Sequence, residues 1–108
     1  MGLFNKIFVQ KSLDKELIGI WNSDLTDMVT QNTLGEVTMT FTDDGKLTYD
    51  IHENGKIQRI NMIYSTIGDT IITDQPSNPR QEKTKYRIKN SKILVMEFGG
   101  ETTKFIKK

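Results

Sequence analysis

The sequence predicts a mainly β protein: an antiparallel up-and-down barrel of about eight strands with a short N-terminal helix, in one domain over residues 1–108. Apolar and polar residues alternate in several segments, which is typical of strands with one face in a core and one in water. Asp-Gly and Asn-Gly pairs between these segments favour tight hairpins. No segment after Trp21 has the pattern of a crossover helix, so we expect strands to pair in sequence order. A closed barrel is favoured over an open sheet or a sandwich because closure removes exposed edges.

The periodicity places the elements along the chain. Residues 1–16 are a predicted helical segment, in which Ser12 caps a second helical turn, and one face of its first turns carries Leu3, Phe4, Ile7 and Phe8. The barrel follows in residues 17–108. Its predicted strands span residues 17–23, 34–42, 46–52, 56–65, 69–74, 82–89, 92–98 and 102–107. In the fourth strand, Ile57 and Ile63 lie on the face opposite Ile60 and Met62, which indicates a β-bulge or burial on both faces. Residues 24–33 and 74–81 are predicted loops.

The composition excludes several classes of function. Fifteen basic and fourteen acidic residues give a net charge of +1, so we expect no nucleic-acid partner. The chain has no cysteine, which excludes disulfides, thiolate zinc sites and cysteine nucleophiles. No apolar run approaches the roughly 20 residues of a membrane-spanning helix, and residues 1–11 lack the pattern of a signal peptide. We expect no integral membrane association and a cytoplasmic location.

The residues that most often carry catalysis or metal binding do not form a recognisable site. His52 is the only histidine, and its predicted position at a hairpin tip favours a solvated side chain. Asp43 and Asp44 precede Gly45 and are typical of a tight turn, and nothing near them predicts the burial that a general acid requires. The chain has no nucleophile elbow, no phosphate-binding glycine loop and no metal-ligand spacing. The sequence therefore predicts no catalytic residue, no metal, no cofactor and no enzymatic activity.

Gly19 and Trp21 form a Gly-x-Trp at the start of the first predicted strand, after a short helical segment. In this respect the chain resembles a small bacterial lipocalin-like domain of the calycin kind. The resemblance implies that Trp21 closes one end of the barrel, that Gly19 allows a close backbone approach, and that a basic side chain of the last strand packs on the indole ring. Lys104 or Lys107 would take that role, through a cation–π contact.

The resemblance also implies a small, mostly apolar ligand at the open end of the barrel. Bulky side chains on the predicted inner face indicate that any cavity is small, and a filled core stays an open alternative. Tyr49, Tyr64 and Tyr86 are the predicted polar contacts of the ligand, together with Arg59, and Met62 and Met96 would adapt to its shape. The open end is expected to carry the connections at residues 24–33, 53–56, 75–81 and 99–101.

A second function remains open, that of a protein–protein interaction or inhibitor module with a filled core. Such a module would use the outside of the barrel. One candidate surface is the loop at residues 74–81. The other is a basic stripe on the outer face of the sixth predicted strand, formed by Lys83, Lys85, Arg87 and Lys89. The same stripe is also typical of an ordinary solvated strand face.

Overall fold

The computed structural model of the protein describes residues 12–108, and of Phe98 it describes the backbone. Eight antiparallel strands follow one another around a closed barrel, which confirms the predicted fold class. The strands are β1 (Gly19–Ser23), β2 (Val37–Phe41), β3 (Lys46–Glu53), β4 (Lys56–Ile67), β5 (Thr70–Asp74), β6 (Glu82–Lys89), β7 (Ile93–Phe98) and β8 (Glu101–Lys107). One short helix of the described residues, α1 (Met28–Thr33), lies between β1 and β2.

The barrel closes where its first strand pairs with its last. Trp21 of β1 lies opposite Met39 of β2 on one side and opposite Lys107 of β8 on the other. Since opposite residues point to the same face, this register fixes which side chains of all eight strands face the interior. The buried core consists of Leu17, Trp21, Val37, Met39, Phe41, Leu47, Tyr64, Ile71, Tyr86, Leu94, Met96 and Phe105.

The hairpin turns behave as their sequences predict. Asn54 and Gly55 both have positive φ, 52° and 74°, as a two-residue turn of type I′ requires. Gly45 also has positive φ, 83°, in the turn between β2 and β3. There the backbone N–H of Thr42 donates to the carbonyl of Lys46, so a turn of three residues, Asp43 to Gly45, lies between this bonded pair.

The N-terminal prediction is only partly open to comparison. Residues 1–11, with the predicted helical face, lie outside the described residues. The predicted cap at Ser12 is wrong, because Ser12 forms an isolated β-bridge with Thr66 of β4. The cap of the following turn is Asp14, whose Oδ1 accepts from the backbone N–H of Glu16. That turn is not continued into a helix.

The prediction for residues 24–33 as a loop misses α1. The Asp27 side chain caps this helix by accepting from the backbone N–H of Thr30. The Thr30 side chain is fully buried, and its Oγ1 accepts a 2.8 Å hydrogen bond from the backbone N–H of Lys104. The helix therefore continues the barrel wall beside β8, beyond the point where β1 ends. No helix in residues 12–108 is long and apolar enough to cross a membrane.

The fourth strand is regular, so the predicted bulge or two-sided burial is wrong. β4 pairs with β3 without interruption from Lys56 to Ile63. Ile57 and Ile63 point outward and are 62% and 50% exposed. β4 has twelve residues and β5 has five, so the first part of β4 extends past its neighbour into solvent.

Candidate functional site

The two ends of the barrel are built from different connections. Because successive strands are antiparallel, the connections alternate between the ends. α1, the turn at Asn54–Gly55, the loop at residues 75–81 and the turn at Gly99–Gly100 share one end, as the sequence predicted. We call this the open end. The opposite end, called the closed end, holds residues 12–18 and the turns at residues 42–45, 68–69 and 90–92.

Trp21 lies in the core beside the closed end. Its side chain is fully buried, and its Nε1–H donates a 2.8 Å hydrogen bond to the carbonyl of Leu17. The Lys107 Nζ lies 5.3 Å from the centroid of the indole ring. Gly19 has a φ of 135°, and a Cβ at this position would lie 3.0 Å from Cε of Lys107. The Gly-x-Trp pair thus leaves room for the lysine stem, which carries the ammonium over the ring.

Of the two lysines that the sequence offered for this contact, the structure selects Lys107. Lys107 faces inward because it lies opposite Trp21. Lys104 lies opposite the outward-facing Val95 and points away from the interior, so the predicted closure role of Lys104 is wrong. Its Nζ instead lies 4.0 Å from Oδ1 of Asp27, the cap of α1.

A cavity of about 200 Å³ lies inside the barrel and reaches the open end. Its apolar wall comes from inward-facing side chains of β2, β3, β4, β5 and β7. These are Met39, Leu47, Ile60, Met62, Ile71 and Met96. Three of the six are methionines, whose flexible thioethers adapt to differently shaped ligands. The predicted smallness of the interior space agrees with this volume.

The polar part of the cavity wall comes from Tyr49, Thr73, Gln75, Glu82 and Thr84. Burial raises the pKa of the Tyr49 hydroxyl, so this group is neutral and able to donate at pH 7. Within the described residues, the Tyr49 hydroxyl has no hydrogen-bond partner, and no fully buried side-chain polar atom lacks one. The hydroxyl is therefore accessible from the cavity or its mouth. Glu82 is the charged side chain of the described cavity wall.

The structure brings together three of the six predicted ligand contacts. Tyr49, Met62 and Met96 all line the cavity. Tyr64, Tyr86 and Arg59 do not belong to its described wall. The polar wall residues Thr73, Gln75, Glu82 and Thr84 were absent from the predicted site, although for the two residues on β6 the alternation with Tyr86 carried the signal. Glu82 and Thr84 have the same parity as Tyr86 and so face the interior with it.

Tyr64 and Tyr86 are buried, but their hydroxyls are engaged at the closed end. The Tyr64 hydroxyl donates to the carbonyl of Thr42 at 2.8 Å, and its ring meets Phe41 edge to face at 5.0 Å. The Tyr86 hydroxyl donates to Oδ2 of Asp14 at 2.6 Å. Burial is the main cause that raises the pKa of both tyrosines, and the bond to Asp14 adds to it for Tyr86. We assign both residues to the closure of the barrel.

Arg59 lies on the outer face of β4. Its Nε and Nη2 donate to the two carboxylate oxygens of Asp50 at 2.8 and 3.0 Å. These hydrogen bonds are the main cause that lowers the pKa of Asp50. The bidentate pair spans β3 and β4 across opposite positions of the register. Arg59 therefore cannot orient a ligand inside the barrel from this position.

Other surfaces offer less to a ligand. The outer depression between β6, β7 and β8 has a volume of about 370 Å³, but charged side chains of Asp69, Lys85, Arg87 and Glu97 line it. The basic stripe on β6 is solvent-exposed along its length. His52 contacts Thr38 through Nε2 at 3.1 Å. In residues 12–108, no three side chains of histidine, aspartate or glutamate are grouped as a metal site.

Comparisons with known proteins found no relative of this chain. No protein-family model matches the chain, and no match was found among curated proteins or solved structures. The candidate site therefore rests on the geometry of the barrel and its cavity.

Proposed function

We propose that the protein is a lipocalin-like binding barrel that takes a small, neutral, mostly apolar molecule in the cavity at its open end, without catalysis. The observation that carries this proposal is the cavity itself. The side chains of an eight-stranded barrel can fill its interior completely, but in this barrel they leave a space of about 200 Å³. An apolar wall with a few polar groups at one side is the common form of small-molecule sites.

The size of the cavity limits the ligand. A cavity of about 150 Å³ holds benzene, and drug-sized ligands occupy about 300–1,000 Å³. A space of about 200 Å³ therefore fits a single substituted ring or a short branched chain. Retinoids and haem-like molecules are too large for it.

The polar groups limit the chemistry of the ligand. The hydroxyl of Tyr49 offers a hydrogen bond to an acceptor that reaches it. Glu82 repels a carboxylate at the mouth, and the described cavity wall holds no lysine or arginine to offset that repulsion. A neutral ring with one oxygen substituent satisfies both conditions.

The test uses benzyl alcohol, toluene and benzoate, with methyl NMR of the methionines as the readout. We expect benzyl alcohol and toluene to shift the resonances of Met39, Met62 and Met96, and to raise the unfolding temperature progressively as their concentration exceeds the Kd. Benzoate should bind at least about tenfold more weakly, as one charge left without a partner predicts. If millimolar benzyl alcohol and toluene move none of the three methyl groups, the proposal is wrong.

Two tyrosine variants provide a matched pair. Tyr49→Phe should weaken the binding of benzyl alcohol about 2- to 13-fold, the range for one net hydrogen bond. The affinity for toluene should stay unchanged. Tyr64→Phe removes a hydroxyl that is bonded to Thr42, so it should leave the affinity for both probes unchanged. Thr84→Leu adds volume to the cavity wall and should abolish binding of both probes while the barrel stays folded.

A further inference from the structure

The first part of β4 is a strand edge without a partner strand in the described residues. β4 pairs with β3 over Lys56–Ile63, but its pairing with β5 begins only at Ile63. Residues 56–62 therefore have a neighbouring strand, β3, on one side only, and five of the seven residues are exposed. We call the other side of this segment the β4 edge. Natural proteins usually shorten or cover such an edge, because it can pair with another chain.

The hairpin register shows which backbone groups the β4 edge offers. The two-residue turn pairs Glu53 with Lys56, and such a closing pair is bonded through its backbone. The N–H and C=O of alternate residues, beginning with Lys56, therefore point to β3. The backbone N–H of Tyr64 follows this rule, since it donates to the carbonyl of Gly45. The N–H and C=O of Ile57, Arg59 and Asn61 point to the β4 edge.

The side chains along the β4 edge combine apolar and basic character. Ile57, within this segment, and Ile63, the first residue beyond it and paired with Asp74 of β5, are 62% and 50% exposed on the outer face of β4. Arg59 and Asn61 lie between them on the same face. Asp50 occupies the Nε and Nη2 of Arg59, and within the described residues Nη1 makes no hydrogen bond. A strand added here would meet two apolar contacts with a cation between them.

A second copy of the chain fits this edge poorly. In one antiparallel register, all three residues whose backbone groups point to the β4 edge bond to the copy. This register places Ile57 opposite Asn61 of the copy, and Arg59 opposite Arg59 of the copy. Like charges directly opposite each other destabilise a pair of strands. A strand of another protein with an acidic residue at the central position has no such conflict.

We propose that the β4 edge binds an extended segment of a partner protein by strand addition, with an acidic side chain of that segment opposite Arg59 and apolar side chains on either side of it. Backbone hydrogen bonds to Ile57, Arg59 and Asn61 hold the segment, as in other cases of strand addition. Alternate side chains of the segment point inward beside Ile60 and Met62, which line the cavity. This surface is separate from the basic stripe on β6 and does not depend on the small-molecule proposal.

The probe is a seven-residue peptide with blocked ends that alternates threonine and valine and carries glutamate at its centre. The readouts are amide NMR and hydrogen exchange of the whole protein. We expect the amides of Ile57, Arg59 and Asn61 to shift and gain protection, while those of Gln58 and Ile60, already bonded to β3, change little. Failure of millimolar peptide to shift the three edge amides overturns the proposal.

Modified peptides test the geometry while the protein stays unchanged. N-methylation of the glutamate and both valines blocks the three amides that face the β4 edge, so it should abolish binding. N-methylation of the threonines modifies amides that face away, so it should reduce affinity no more than about threefold. Equal effects of the two modifications would contradict strand addition.

The charge preference is tested separately. A peptide with lysine at its centre should bind about three- to tenfold more weakly than the glutamate peptide. In the double variant Asp50→Asn, Arg59→Gln, which removes the whole ion pair, the two peptides should bind alike. A concentration-dependent dimer that protects the same three amides without peptide would assign the edge to a second copy and overturn the proposal of a partner protein.

Discussion

The Tyr86 hydroxyl donates a 2.6 Å hydrogen bond to Asp14, although 72 residues separate them in the chain. Tyr86 belongs to the wall of the barrel, and Asp14 belongs to the segment that crosses its closed end. The Tyr64 hydroxyl binds the Thr42 carbonyl at the same end. Two of the three tyrosines of the chain thus hold the closed end together, and Tyr49 is left with its hydroxyl near the cavity.

Tyr86→Phe should lower the free energy of unfolding by about 1.5 kcal/mol, the lower part of the range for hydrogen bonds to charged groups. The lower part applies because Asp14 is half-buried and keeps access to water. Urea unfolding at pH 7 measures this loss. Tyr49→Phe is the matched control, and we expect it to change stability by less than about 0.5 kcal/mol. Equal losses in the two variants would contradict the role given to the Tyr86–Asp14 bond.

Alkaline pH should destabilise the protein through the same residue. Burial and the bond to Asp14 raise the pKa of Tyr86, so the folded state holds the phenolic proton more tightly than the unfolded state. This contribution is complete below the unfolded pKa of about 10 and is lost as the pH rises above it. The difference in stability between wild type and Tyr86→Phe should therefore shrink between about pH 10 and pH 11. A constant difference from pH 8 to pH 11 would be the contrary result.

The strands could be predicted from the sequence because their signal is local. The segment EKTKYRIK alternates strictly, and β6 spans Glu82–Lys89 as predicted. The faces of β4 could not be predicted in the same way. Ile57 and Ile63 are apolar and yet exposed, because both point to the outside of the barrel, and at Ile57 the strand also extends beyond β5. How far each strand extends past its neighbour depends on the whole barrel and is not indicated by the local pattern.

The candidate site could be predicted only in part, for a similar reason. Alternation indicates which side chains face the interior, and it places Tyr49, Met62 and Met96 there. It does not indicate the height at which a side chain lies along the barrel axis, or which group its hydroxyl reaches. Tyr64 and Tyr86 find their partners 22 and 72 residues away. Those contacts depend on tertiary structure. Alternation alone therefore cannot distinguish these two tyrosines from side chains that contact a ligand.

Trp21→Ala should reduce the free energy of unfolding by about 3–5 kcal/mol, the range for deletion of a large buried aromatic side chain. The indole is fully buried and bonded to the carbonyl of Leu17, so the variant loses packing and also leaves that carbonyl without its donor. Urea unfolding followed by circular dichroism measures the loss. In the wild type, emission of this single tryptophan should be blue-shifted and resistant to iodide, and an easily quenched emission would contradict its burial.

Lys107→Met should cost about 0.5–1 kcal/mol, because methionine keeps most of the apolar stem beside Gly19 and removes the charge over the ring of Trp21. Lys104→Met is the matched control on the same strand. Its Nζ is 4.0 Å from the Asp27 carboxylate, and both groups are accessible to water, so we expect a smaller cost. The near-ultraviolet circular dichroism of Trp21 should change in the first variant and not in the second. The reverse order of the two costs would contradict the contact.

Thr30→Val should destabilise the protein by about 1–3 kcal/mol, the range for a buried polar group that loses its partner. The Thr30 Oγ1 donates to Oδ2 of Asp27 at 2.6 Å and accepts from the backbone N–H of Lys104 at 2.8 Å. Valine has nearly the same shape, so the variant removes both hydrogen bonds and leaves the packing of α1 on β8 in place. The Lys104 amide should then exchange its hydrogen faster than in the wild type.

The control for this variant is Thr26→Val, in the same connection between β1 and β2. Its hydroxyl donates to Asp24 at 2.6 Å in an exposed position, so water can replace the lost bond. We expect that variant to lose no more than about 0.5 kcal/mol and to leave the exchange of the Lys104 amide unchanged. Because α1 takes the place of β1 beside the end of β8, a large and specific effect at Thr30 would establish the helix as part of the barrel wall. Equal small effects at Thr26 and Thr30 would instead make α1 an ordinary surface loop and contradict this assignment.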